Sequence, residues 1–147
     1  MQHVVSALHP YLFFGGNCRQ AMEFYQQVFG GNLIMSTFGD GPADAHQDPL
    51  ANSEEQKASI MHARLEGAVT LLASDNPHLA STADRTTFSL TLEGSDAPRL
   101  SAYFEHLSQG GRVTAPLQPQ FWGATFGMLT DRYGINWMIS ITANTSA

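Results

Sequence analysis

Covalent cross-links are excluded at the outset, because the chain has a single cysteine, Cys18. A lone thiol cannot close a disulfide within the chain, and such usage suits a reducing compartment. Basic residues are also scarce: seven Lys and Arg stand scattered against 13 Asp and Glu, for a net charge of −6. Nucleic-acid binding needs clustered cations to displace counterions from phosphates, and anionic membrane surfaces are held in the same way. With no cluster, neither partner is expected. No apolar run approaches the roughly 18 residues that span a bilayer. The opening MQHVVSALHP has neither the basic start nor the apolar stretch of a secretion signal. A cytoplasmic protein is the expectation. Glycine loops that cradle phosphates are missing too, since both Gly-Gly pairs end helical patterns instead.

What is present is a globular composition, 43% hydrophobic and 14% charged. Residues 1–147 are long enough for one domain with a core of its own. Within it the chain says nearly the same thing twice: FYQQVFGG at 24–31 and YFEHLSQGG at 103–111. HPYLFF (His9–Phe14) reads as a buried strand, and Asn17 as the cap of a helix with Ala21, Phe24, Tyr25, Val28 and Phe29 on one face. Gly30 and Gly31 stop that helix. Strands are expected over Asn32–Phe38, Lys57–Leu65 and Ala68–Ser74, with a polar, acidic insertion, Gly39–Gln56, that forms either a lid or a disordered loop.

The second half repeats the order. Thr86–Glu93 alternates as a strand, and Ser95 caps a helix carrying Leu100, Tyr103, Phe104 and Leu107. Gly110 and Gly111 stop it, and strands follow at about Arg112–Gln118, Ala124–Thr130 and Ile135–Ile141. The helices align at an offset of 79, the glycine pairs at 80. Two βαβββ modules, about 8–75 and 86–142, are the simplest account.

Three segments, PYLFFGGNCRQAMEFYQQVFGGNL, MHARLEG…LLASD and FWGATFGMLTDRYGINWMI, give the chain its resemblance to the PhnB-like branch of the glyoxalase/bleomycin-resistance/extradiol-dioxygenase (vicinal oxygen chelate) superfamily. The resemblance implies an α+β fold of paired βαβββ modules forming curved mixed sheets, a cleft between them as ligand site, and a homodimer. It leaves the reaction open, because fold does not carry function.

Metal-using members of that superfamily set His or Glu on the inward faces of four strands, where a divalent ion polarises substrate oxygens. Ni, Co, Mn, Fe or Zn would suit such ligands. Carried onto this chain, the positions fall on His9, on Thr70 or Leu71, on Thr87 and on Met138. Only His9 is a usual ligand, so no tightly held metal is expected. The alternative is a rearranged site of His9 and His62, helped by Glu66 or Asp75.

Other candidates are fewer. His62 is the catalytic candidate, a general base if a carboxylate such as Asp75 orients it; otherwise Asp75 serves the turn Asp75-Asn76-Pro77. Asp131 reads as a turn residue. A helix N-terminus would lower the pKa of Cys18, although nothing near it completes a thiol nucleophile's machinery. Phe121, Trp122 and Phe126 form an aromatic cluster beside Gly123 and Gly127, with Trp122 either a pocket wall or an interface residue, and Trp137 belongs to the core.

A cleft lined by His9, Tyr11, His62, Thr87, Trp122 and Met138 that binds a small organic molecule is therefore the leading expectation, with metal-independent isomerisation or lysis as its enzymatic form. A metal-dependent lyase, thiol transferase or dioxygenase is one alternative, and a non-catalytic antibiotic-sequestering dimer is the other.

Overall fold

A computed structural model describes residues 6–40, 57–76 and 87–143. The insertion beyond Asp40 and the expected strand start at Thr86 lie outside these residues. Two compact units divide the chain, Met1–Ser81 and Thr82–Ala147.

The first unit runs β1 (Tyr11–Phe14), α1 (Cys18–Phe29), β2 (Asn32–Thr37), β3 (Ile60–Glu66) and β4 (Thr70–Asp75). Its sheet has the order β1-β4-β3-β2, with β1 and β4 parallel and the other neighbours antiparallel. The second runs β5 (Leu90–Gly94), α2 (Ala97–Ser108), β6 (Arg112–Pro119), β7 (Thr125–Thr130) and β8 (Asn136–Ile141). Its sheet order, β5-β8-β7-β6, repeats the plan, again with one parallel pair. The α+β fold of two βαβββ modules is thus the one the sequence predicts.

Each helix covers one sheet face. Ala21, Met22, Phe24, Tyr25 and Phe29 of α1 are buried, as are Leu12, Phe14, Ala63, Leu65, Leu71 and Ala73 of its sheet. In the second unit Leu100, Phe104 and Leu107 of α2 and Leu129, Trp137, Ile139 and Ile141 play the same part. Each large apolar side chain so buried contributes about 1.5–3 kcal/mol. Trp137 is core, as its strand parity predicts.

The repeated Gly-Gly has a packing cause. A Cβ on Gly31 would sit 2.4 Å from the Glu66 carbonyl oxygen, and one on Gly111 would sit 2.3 Å from that of Thr130. In each unit the second glycine lets the strand after the helix pass against the tight turn joining the last two strands.

Two buried aspartates organise the turns. Asp75 accepts three backbone N–H groups: Gly16 and Cys18 on Oδ1 and Ile60 on Oδ2, each at 2.9 Å. It ties β4 to the start of α1 and of β3, which corrects its reading as a local turn residue. It also corrects the cap: Asn17 makes no side-chain cap bond, and the Cys18 amide is served by Asp75 instead. Asp131 is the turn residue expected, accepting from the amides of Tyr133 and Ile135, and its second oxygen takes the Trp137 indole N–H at 2.8 Å. The cap of α2 is Asp96, accepting from the Arg99 amide at 3.1 Å, one residue beyond the expected Ser95.

Candidate functional site

Opposite its helix, each sheet presents a second face, and strand register says which side chains share it. In the first unit Tyr11, Leu72, Arg64 and Ile34 form one row across the four strands. The neighbouring row holds Phe13 and Ser74, then by continuation of the register His62, opposite Ser36. Tyr11 and Phe13 are 40% and 47% exposed, while Leu12 and Phe14 between them are buried under α1. The Tyr11 ring lies 5.0 Å from that of Phe13 and 6.1 Å from the imidazole of His62. Tyr11 and His62 therefore stand beside one another on this face.

His62 sits at an irregularity that sequence reasoning missed. Ser36 pairs with His62 but Thr37 pairs with Ile60, leaving Met61 as an extra residue in β3. Such a bulge twists the strand; beside it His62 is exposed, in alternation with buried Ala63 and Leu65. The expected orienting carboxylate is not available: Asp75 is buried on the helix side, with both oxygens engaged by backbone amides.

His9 precedes β1 and is half-buried. Pro10 carries the parallel pairing one step further, its carbonyl accepting from the Leu72 amide at 3.1 Å. Continued to His9, the register sets it opposite Thr70, in the row of Glu66. His9 and His62 then stand two strands and four residues apart, a backbone separation of roughly 16 Å at sheet spacings. Two imidazoles at that distance do not reach one ion through bonds of about 2 Å. The rearranged His9/His62 centre is thus unsupported by the register, and Glu66 is engaged with Arg64. Among the described residues no group of three His, Cys, Asp or Glu gathers as a metal site.

Equivalence between the units refines the other expected ligand positions. The Asn76 amide donates to the Phe14 carbonyl and the Thr142 amide to that of Gly94, both at 2.7 Å. Phe14 thus corresponds to Gly94, and Asn76 to Thr142. By that correspondence the counterpart of His9 is Ser89 and that of Met138 is Leu72. Leu71, one of two earlier candidates, is buried toward the helix. Thr87 is exposed and lies ahead of β5, which begins at Leu90 and not at Thr86. Within the repeat His9 is thus equivalent to Ser89 and Leu72 to Met138, and a hydroxyl, a thioether and an isobutyl group are poor donors for a hard or borderline divalent ion.

In the second unit Met138 faces away from α2, between Thr91 and Met128. At one end of this face Arg112, Thr130, Asn136 and, by continuation, Ser89 form a polar row lining a depression of about 250 Å³. The Thr130 hydroxyl donates to Asn136 Oδ1 at 2.7 Å. At the other end Gln118, Phe126, Ser140 and Glu93 align. Trp122, in the β6–β7 connection, stands edge-on to Phe121 at 5.0 Å and to Phe126 at 6.0 Å. Gly123 there has φ +98 with open space around it, and a Cβ on Gly127 would meet Phe104 Cε2 of α2 at 2.7 Å and the Leu117 backbone at 3.0 Å, so the close approach is to the helix side and not at the aromatic corner expected. Glu93, Ser140 and Thr142 share with Trp122 a depression of about 510 Å³. Glu93 shares the strand parity of Thr91, and only the folded sheet shows that it joins Trp122 in one depression.

Cys18 departs from expectation only in the direction of its pKa shift. Burial pushes its thiol pKa far up, and the Asp75 carboxylate raises it further; Arg19 opposes only weakly. Desolvation outweighs the helix dipole, and the residue is an inert core thiol.

Compared with known proteins, the chain matches the model of the Glyoxalase/Bleomycin resistance protein/Dioxygenase superfamily over residues 3–139. Protein YjdN of Escherichia coli is 31% identical over 141 residues, covering 91% of this chain and 94% of that protein. PA1353 from Pseudomonas aeruginosa shares 40% identity and superimposes with a TM-score of 0.77, covering 94% of this chain and all of the other. A PhnB protein from Bacillus cereus, described as a putative 3-demethylubiquinone-9 3-methyltransferase, shares 19% identity with a TM-score of 0.73, over 93% of this chain and all of that one.

Proposed function

The chain belongs to the Glyoxalase/Bleomycin resistance protein/Dioxygenase superfamily, with PhnB-like relatives, and from that premise we propose that it binds a small organic molecule without a tightly held metal. One observation carries this reading. The positions that correspond to metal ligands of the superfamily hold Leu72, Ser89 and Met138 beside His9, while the faces around them offer aromatic rings, thioethers and single polar groups. Apolar walls with a few placed polar groups are the chemistry of an organic-ligand site.

In the first unit Tyr11 and Phe13 would supply stacking surface and His62 a hydrogen bond of either polarity. A catalytic version makes His62 the base that removes a proton from a bound carbon acid, favoured by its exposure beside Tyr11. Replacement of His62 by alanine would then abolish turnover of a found substrate and leave its binding within a few-fold; unchanged turnover would dismiss that role. We also assign the protein to the cytoplasm and to a homodimer, for which the absence of a long apolar helix among the described residues and the superfamily's habit are the support.

The test is metal retention followed by ligand screening. Protein incubated with Ni, Co, Mn, Fe or Zn and desalted is expected to keep well under one ion per chain by mass spectrometry. A screen of neutral and charged aromatic compounds, read by thermal shift, is expected to give hits that weaken on Tyr11→Ala. Near-stoichiometric retention lost on His9→Ala would overturn the metal-free reading, and a screen with no hit would overturn ligand binding.

A further inference from the structure

Trp122 and Glu93 are far apart in sequence, yet they line one concavity of the second unit. The aromatic corner there is exposed to a degree that core packing does not explain: Phe121 is 96% and Trp122 is 55% exposed. Trp122 makes edge-to-face contacts with both Phe121 and Phe126, so the indole sits in an aromatic cluster at the rim of the concavity. The only charged side chain lining the concavity is Glu93, and no ion pair joins it to another described residue. Ser140 and Thr142 complete the floor, and the Thr142 hydroxyl is turned to the Gly94 carbonyl at 3.2 Å. Among the described residues no cationic side chain lines the place.

We propose that this concavity is a subsite for an organic cation, a quaternary or alkylated ammonium group. The indole face attracts the positive charge through its quadrupole. The Glu93 carboxylate supplies a counter-charge that a diffuse ammonium, unable to donate a strong hydrogen bond, accepts at contact distance. Ser140 and Thr142 border the place with hydroxyls, not with a second ion. An anion is disfavoured here by Glu93; its place on this face is the opposite end, where Arg112 lies four residues along and three strands across, roughly 20 Å from Glu93 at sheet spacings. The inference deepens the small-molecule reading and rests on it, naming one chemical group of the ligand.

Choline and its neutral isostere 3,3-dimethylbutanol are the probes. Line broadening and saturation transfer on the methyl singlet of each, in the presence of the full chain, give both affinities. Choline is expected to bind at least about tenfold more tightly than the neutral probe, a ratio typical of a cation held by a ring and a carboxylate. Glu93→Gln should remove most of that preference. Trp122→Ala should remove binding of both probes, and Trp122→Phe should retain part of it. Arg112→Ala, at the far end of the face, should leave choline unchanged. Emission of the buried Trp137 reports that each variant is folded. Equal binding of the two probes, no detectable choline binding, or Glu93→Gln and Trp122→Ala each within twofold of the parent overturns the subsite. Hits from the general screen that persist in Trp122→Ala would keep the small-molecule reading while the subsite fails, so the two failures are distinguishable.

Discussion

At the scale of single residues, the most consequential side chains in this protein are two buried aspartates. Asp75 serves three amides from two elements that meet far apart in sequence. Asp75→Ala leaves those donors buried without an acceptor, and about 3–5 kcal/mol of stability is expected to go, measured by urea unfolding. Asp75→Asn keeps one oxygen and should cost less. For the thiol, the folded state holds Cys18 protonated well above its ordinary pKa of 9.0. The neutral thiol's contribution is therefore full below pH 9 and falls as pH rises past it, because only the unfolded chain releases the proton. Unfolding at pH 7 and pH 10 should show Cys18→Ala losing less stability over that interval than the parent, by up to roughly 1.4 kcal/mol per pH unit. Ellman's reagent should find no reactive thiol until denaturant is added. Much at this scale was hidden from sequence. Local spacing made Asp75 a turn acid and gave Cys18 a dipole-lowered pKa, though not a nucleophile's machinery. Burial by β3, β4 and α1 reversed the first reading and the direction of the second, since desolvation and distant amide donors are tertiary quantities.

At the scale of elements, the glycine pairs test the duplicated plan directly. Gly31→Ala and Gly111→Ala each drive a Cβ into a carbonyl oxygen of the neighbouring turn. Both backbones are fixed by strand pairing, so neither can yield cheaply. Each is expected to lower stability by about 3 kcal/mol or more, or to prevent folding, as read by denaturant midpoints. Gly123→Ala is the control: φ is positive there but space is open, and about 1 kcal/mol is expected. The strands and helices themselves were legible in sequence because apolar spacing changes from period two to period 3.6 at each boundary. Boundaries blurred where a cap came from elsewhere, as at Asn17, or where a strand began late, as at Leu90. The bulge at Met61 was not legible, because nothing in MHARL distinguishes a paired residue from an extra one.

For the whole molecule, the net charge of −6 and the scattered cations argue against polyanionic partners, and salt-dependent retention on DNA or heparin is not expected. We expect sedimentation at micromolar concentration to give twice the chain mass, as proposed for a homodimer. A mass equal to one chain would withdraw that proposal and leave the sheet faces open to solvent.

Sequence by itself determined the element order, the twofold repetition and the family, because each rests on local hydrophobic period, turn chemistry and motif order. It also set Tyr11 and Met138 on the faces opposite the helices, since strand parity alone decides which face a side chain takes. Register across strands lay beyond it. Only the folded sheets decided that Leu72 and Ser89 correspond to Met138 and His9, that His9 and His62 are too far apart to share an ion, and that Glu93 joins Trp122 in one concavity. Pairing between strands distant in sequence is fixed by packing and turns throughout the module, and no local stretch of residues encodes it.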